Sequence, residues 1–147
     1  MDLDDTDTSI INELIRDAKA PLRKLAVALG VSFVTVMNRI RKLEKAGIIT
    51  KYSANIDFEK LGYGVHVIID VKISKGKLFE LEKKLAKQPD VYAVYDTTGE
   101  FDATLLALFK STRALDAFVK KIQTWDFVER TSTKLILNTI KEDQIRV

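Results

Sequence analysis

With 147 residues, 46% of them hydrophobic and 31% charged, and a formal net charge of +3, the chain has the composition of one good core or two small ones and not of a disordered polymer. It has no cysteine and a single histidine, His66, which excludes a disulfide framework, thiolate chemistry and a histidine-rich metal site. The acidic start MDLDDTDTS lacks the apolar segment of a signal peptide and no apolar run reaches membrane-spanning length, so a cytoplasmic protein with no metal, cofactor or membrane partner is expected.

Asp4 is placed to cap a first helix whose buried side is Ile10, Ile11, Leu14, Ile15 and Ala18. Lys19-Ala20 ends it, and Pro21 suits the first turn of a second helix, in which Leu22, Leu25, Ala26 and Leu29 recur at helical spacing up to Gly30. A third helix follows after a tight joint, with Ser32 as N-cap and Gly47 at the left-handed C′ position. Two short amphipathic helices with a glycine at the joint form the helix-turn-helix pattern. The stretch IITKYSANID beyond Gly47 is rich in β-branched and aromatic residues and is expected to add a short wing strand.

The third helix has two sides. Val36, Ile40 and Leu43 make a narrow apolar stripe with Phe33 and Met37 at its edge, while Val34, Thr35, Asn38, Arg41, Lys42 and Lys45 lie opposite with Arg39 on the flank. Glu44, its one carboxylate, falls near Met37 and outside that second side. Cations gather in the last turns, and the first turns offer methyl and amide groups; that order suits a helix whose tip meets base edges while its later turns meet phosphates. The charge along the chain agrees. Residues 1–18 hold Asp2, Asp4, Asp5, Asp7, Glu13 and Asp17 against Arg16, whereas Lys19 to Tyr52 hold Lys19, Arg23, Lys24, Arg39, Arg41, Lys42, Lys45 and Lys51 against Glu44 alone. The alternative is a three-helix bundle with a solvated basic face.

After FEKLGYG, Val65, Val67, Ile69, Val71 and Ile73 alternate with His66, Ile68, Asp70 and Lys72, the period of a strand. Lys77–Lys87 reads as a helix, Val91–Thr97 as a strand, Thr98-Gly99-Glu100 as a turn, Phe101–Phe109 as the returning strand, the Leu115, Phe118, Val119, Ile122 segment as a helix, and Val128–Ile140 as a last long strand. A shift of 37 positions lays Leu78, Leu81, Lys84, Leu85 and Val91 on Leu115, Phe118, Lys121, Ile122 and Val128, as in a doubled βαβ unit. This βαββαβ order implies a four-stranded antiparallel sheet with both helices on one face. The other face carries so many apolar residues, Leu106, Leu108, Ile136 and Ile140 among them, that two such sheets are expected to pack together in a homodimer, which would present two helices to a two-fold symmetric site.

The chain thus resembles the Lrp/AsnC family of transcription regulators, also called feast/famine regulatory proteins, from Leu3 to about Lys141. The likeness rests on LDDTDTSII, on LAVALGVS running into TVMNRIRKLEKAGII, and on TTGEFDATL. It implies an α+β protein, with an N-terminal winged helix-turn-helix domain over 1–52, a linker over 53–64 and a ferredoxin-like effector-binding and dimerisation domain over 65–147. It further implies dimers that assemble to octamers, binding to double-stranded DNA at partly palindromic promoter sites, and modulation by an amino acid.

By position, Ser32 to Lys42 is the recognition helix that the resemblance implies. Thr35 and Asn38 are its base readers, Arg39, Arg41 and Lys42 its phosphate contacts, and Phe33 and Val34 contacts for thymine methyls. The implied effector site takes Thr98, Gly99, Glu100 and Asp102 from the hairpin, with backbone N–H groups for a carboxylate and Asp102 for an ammonium, plus Thr131 and Thr133 as hydroxyls. The plainer reading makes Gly99 a turn residue and Asp102 a strand-edge charge. Two positions depart from the family pattern: Lys19 stands where many members have Arg, and Ala20-Pro21 replaces the polar cap of the second helix.

Other functions give weaker accounts. Some chains resembling this family are decarboxylases of sirohaem-type tetrapyrroles, but His66 alone is too little for a catalytic set, and neither a nucleophile triad nor a glycine-rich phosphate loop is present. An architectural DNA-compacting protein without effector is the remaining alternative. A large specificity ratio over random DNA separates a regulator from it.

Overall fold

The computed structural model describes residues 2–147. By internal contacts the chain divides into two units: one runs to Ile56 and also takes in Lys141–Val147, and the other is Asp57–Ile140.

The first unit has three helices, α1 (Asp5–Arg16), α2 (Leu22–Leu29) and α3 (Phe33–Lys45). Asp4 caps α1 in a reciprocal box, in which the Asp7 N–H donates to Asp4 Oδ1 at 2.9 Å and the Asp4 N–H donates to Asp7 Oδ2 at 3.3 Å. Helix α2 starts without a side-chain cap, on Pro21 at φ −66°. Gly30 and Gly47, at φ 65° and 71°, end α2 and α3 in the left-handed conformation. In each case the next residue reaches back five positions: Val31 N–H donates to Ala26 O and Ile48 N–H to Leu43 O, both at 3.0 Å, which satisfies carbonyls the helix leaves open. The core is Ile10, Leu25, Ala26, Val36, Ile40 and Leu43, with Ile11, Leu14, Leu22, Leu29 and Phe33 packed at its edge.

Three expectations for this unit are corrected. Ala18 lies beyond the end of α1 and is exposed, because the chain leaves the helix at Asp17 in an extended conformation. Among the described residues there is no wing strand; 51–57 is exposed and pairs with no other strand, so its amides lack the ladder a strand requires. The last seven residues group with this unit and not with the second, where Val147 N–H donates to Asn12 Oδ1 at 3.0 Å and Asn12 Nδ2 donates to Val147 O at 2.6 Å.

The second unit is built from β1 (Val65–Ile73), α4 (Leu78–Leu85), β2 (Val91–Asp96), β3 (Ala103–Phe109), α5 (Thr112–Gln123) and β4 (Val128–Leu135), preceded by a 3-10 turn at Glu59–Leu61. The sheet order is β2-β3-β1-β4 and every neighbouring pair is antiparallel. Val67, Ile69, Val71 and Ile73 from β1 and Ala103, Leu105, Ala107 and Phe109 from β3 are buried beneath Leu81 and Leu85 of α4 and Phe118 and Ile122 of α5. Leu81 and Leu85 correspond to Phe118 and Ile122 across the 37-residue shift, so the doubled βαβ unit is present in three dimensions.

The last strand stops at Leu135, five residues short of the expectation. Ile136 N–H still donates to His66 O at 2.8 Å, but Leu137 and Ile140 are 81% and 93% exposed. The helix-free face is also less apolar than expected. Ile68, Leu106 and Leu108 are half-buried in its centre, yet Asp70 shares it, accepting from Thr104 Oγ1 and Lys134 Nζ at 2.6 Å each. Burial by itself would push the Asp70 carboxyl up, and these two bonds outweigh it and hold the group below the ordinary aspartate value.

Candidate nucleic-acid interface and effector hairpin

Helix α3 turns Val36, Ile40 and Leu43 into the core and leaves Val34, Asn38, Arg41, Lys42 and Lys45 exposed, Val34 by 63%. Ser32 caps it: its Oγ accepts from the Thr35 N–H at 3.0 Å and lies 2.8 Å from Thr35 Oγ1. The open side therefore begins with two hydroxyls and a methyl-bearing side chain, continues with an amide and ends in cations, on a helix fixed from behind. Glu44 is held aside as an acceptor for Tyr52 Oη at 2.9 Å. Partial burial and this carboxylate push the Tyr52 hydroxyl up to about 12.

Two of the expected DNA contacts are occupied elsewhere. Phe33 packs at the core edge with the Arg23 guanidinium 4.8 Å above its ring, which withdraws it from a thymine methyl. The Arg39 Nη1 donates to both oxygens of Asp4, at 2.7 and 2.6 Å, and to Asp7 Oδ1 at 2.9 Å. These bonds raise the Arg39 pKa, and the Arg39 bond lowers that of Asp4. With two carboxylates on one guanidinium the trio has a net charge of −1, so it gives a phosphate no electrostatic reason to approach.

The hairpin residues Thr98, Gly99 and Glu100 are exposed between β2 and β3. Among the described residues no bond engages their backbone N–H groups, whereas the flanking Thr97 N–H donates to Asp102 O at 3.0 Å. Asp102 itself serves the sheet. Its Oδ2 accepts from the Ile73 N–H at 2.9 Å, where the β1–β4 register shifts, and lies 3.3 Å from Lys72 Nζ; its own N–H donates to Val71 O at 3.0 Å. The Ile73 bond, with help from Lys72, lowers its pKa. That is the plainer reading of Asp102 given stronger form, because the carboxylate already has a cation and an amide.

Thr131 and Thr133 pair with Val71 and Ile69, so they lie on the helix-covered face, where Gln123 Nε2 donates to Thr131 Oγ1 at 3.1 Å. Their neighbour Arg130, paired with Lys72, points to the opposite face instead; it ion-pairs with Glu100, and its guanidinium is 4.9 Å above the Phe101 ring. Arg130 is thus the β4 residue that meets the hairpin. Sequence reasoning missed it because only the strand register brings residues 30 positions apart together.

A helix-turn-helix unit with an open polar and cationic helix face, joined to a separate βαββαβ unit, is the plan of a two-domain transcription regulator. The chain belongs to the Lrp/AsnC family: the AsnC-type helix-turn-helix domain matches residues 3–44 and the Lrp/AsnC ligand binding domain matches residues 66–145. It is 41% identical over 140 residues to the HTH-type transcriptional regulator FL11 of Pyrococcus horikoshii, covering 95% of this chain and 93% of the relative. Its structure matches that of E. coli AsnC with a TM-score of 0.94 at 29% identity over the whole of both chains. It also matches the feast or famine regulatory protein Rv3291c of M. tuberculosis, complexed with L-methionine, at TM-score 0.92 and 32% identity, covering 99% of this chain and 100% of that one. The protein is a helix-turn-helix transcription regulator of the Lrp/AsnC type.

Among the described residues no helix is long and apolar enough to cross a membrane, and no group of three or more His, Cys, Asp or Glu side chains is placed to hold a metal ion.

Proposed function

We propose that the protein reads a two-fold symmetric DNA site with α3 in the major groove of each half. Val34, Thr35 and Asn38 read base edges, Ser32 orders the helix tip, and Arg41 and Lys42 hold phosphates. The observation that carries this is the exposure of Val34, Asn38, Arg41 and Lys42 on a helix whose other side is buried to the last atom at Val36 and Leu43. An exposed methyl-bearing side chain and an amide near the helix tip, followed by cations, suit base edges and then phosphates. Selection of bound fragments from random duplexes tests it. The expected result is one enriched motif with related half-sites about one helical turn apart; recovery of unrelated sequences at equal affinity would favour DNA compaction over regulation.

The binding form is a homodimer, formed through the helix-free sheet face around Ile68, Leu106 and Leu108, with further assembly to octamers. The effector is an amino acid captured at the β2–β3 hairpin. Its carboxylate is received by the N–H groups of Thr98, Gly99 and Glu100, which the fold leaves open, and the L-methionine bound by the M. tuberculosis relative supports this class of ligand. Calorimetry with L-methionine and the other amino acids checks it. A Gly99→Ala variant, strained at the φ of 110° that this position adopts, disturbs the turn that presents these N–H groups and should bind less tightly while its DNA affinity without ligand stays unchanged.

A further inference from the structure

The acidic start of the chain and the basic recognition helix meet at Arg39. Asp4, the N-cap, and Asp7, three residues on in the first turn, stand together at the start of α1, and both carboxylates close on one guanidinium nitrogen of α3. Asp7 is 3% exposed, whereas the Arg39 side chain keeps 30% of its surface open. The groove beside them has Asp2, Asp4 and Asp7 along one wall and Thr35, Asn38 and Lys42 along the other, so the carboxylates border the very side chains proposed to read DNA.

A capping box can be built with neutral side chains, since Asn and Ser cap as well as Asp. Nothing in helix capping requires two negative charges beside a surface meant for a polyanion. A lone arginine at this place, one turn before Lys42, would instead add a sequence-indifferent phosphate contact.

We infer that Asp4 and Asp7 mask Arg39 as internal stand-ins for phosphate, lowering affinity for random DNA and so raising the discrimination achieved by Thr35 and Asn38. The inference rests on the reading of α3 as the recognition helix. Masking changes the charge presented at the groove edge from +1 for a free Arg39 to −1 for the trio, and the repulsion acts on every duplex alike. Base contacts are left as the main source of preference.

The test uses the full-length protein and duplexes with and without the selected site, titrated over a range of salt. Asp4→Asn/Asp7→Asn keeps oxygen acceptors for both capping bonds but removes both charges, and its helical circular dichroism and melting report whether the fold is kept. The expected result is tighter binding to random duplex, a smaller specificity ratio, and a salt dependence steeper by about 0.9, equal to one added phosphate contact. That extra slope makes the affinity gain shrink about threefold to fourfold between roughly 50 and 200 mM salt. Adding Arg39→Ala to this variant should return the slope to the wild-type value, and Arg39→Ala alone should leave it unchanged.

Asp2→Asn controls for the loss of one acid near the groove, because Asp2 lies along the same wall, whereas Arg39 bonds to Asp4 and Asp7. If the double variant gains no more than two such neutralisations and keeps the wild-type slope, masking is overturned. A slope that falls by about 0.9 in Arg39→Ala alone would likewise show that Arg39 already holds a phosphate. Failure of the underlying reading has a different mark: Lys42→Ala and Asn38→Ala would leave DNA binding untouched.

Discussion

Helix α3 and the β2–β3 hairpin were both marked as functional by their polar residues, yet the fold treats those residues differently. On α3, Asn38, Arg41 and Lys42 extend from a buried stripe into solvent, and among the described residues no bond engages their side chains. At the hairpin the charged side chains are engaged: Asp102 with Ile73 and Lys72, Glu100 with Arg130. What remains open there is the backbone of Thr98, Gly99 and Glu100 and the Thr98 hydroxyl. On the proposed reading the difference separates side-chain recognition in the first unit from backbone recognition in the second, and it predicts which substitutions act on function and which act on folding.

The largest effect should come from removing support behind the open helix. Leu43 is fully buried between α3 and its neighbours, and Leu43→Ala should destabilise the first unit by about 2–5 kcal/mol through lost burial and the cavity left behind. That is a large share of what a small unit has. Thermal melts followed by circular dichroism should show early loss of helix together with loss of DNA binding, while strand signal persists. Simultaneous melting of helix and strand would show that the two units do not unfold separately.

Smaller effects should divide according to side-chain chemistry on the open face. Asn38→Ala and Thr35→Ala are expected to cost about 1–3 kcal/mol on the selected site and little on random duplex, since each removes a proposed base-edge contact. Lys42→Ala should weaken both equally and reduce the salt slope by about 0.9. Equal losses on specific and random DNA for all three would assign them all to the phosphate backbone. In the second unit, Lys134→Ala should lower stability by about 1 kcal/mol, the modest value fitting a pair whose lysine is 62% exposed, by removing one of the two bonds to buried Asp70. Urea unfolding measures this.

The features legible in the sequence were local ones. Asp4, Ser32, Gly30 and Gly47 act on their own helix ends, and the stripe of Val36, Ile40 and Leu43 needs no knowledge of the partner to be recognised. Strand alternation likewise gave β1 its buried side correctly. Features that depend on distant partners were hidden. The partners of Arg39 lie 35 and 32 residues away, and the face taken by Thr131 or Arg130 depends on a register that includes a shift at Lys72/Ile73. A one-residue change in that register would exchange the two faces, so composition alone could not place the threonines. The wing failed for a related reason: β-branched residues favour a strand only where another strand supplies its hydrogen bonds.

The smallest predicted effect compares the same charge at two pH values. Asp102 has a lowered pKa in the folded chain, so its carboxylate stabilises the second unit fully above the unfolded value of about 3.9, and that contribution is lost as pH falls through the lower folded value. Asp102→Asn still offers an oxygen to the Ile73 N–H but has no charge for Lys72. Its urea midpoint should therefore lie below wild type at neutral pH, and the gap should narrow as pH falls below the ordinary aspartate range and the wild-type carboxylate takes up its proton. A gap of the same size at both pH values would mean that shape at the β1 register shift matters and charge does not. If amino-acid binding to the hairpin also survives in Asp102→Asn, the carboxylate is a fastening of the β3 strand, and recognition of the ligand falls to the open amides of Thr98, Gly99 and Glu100.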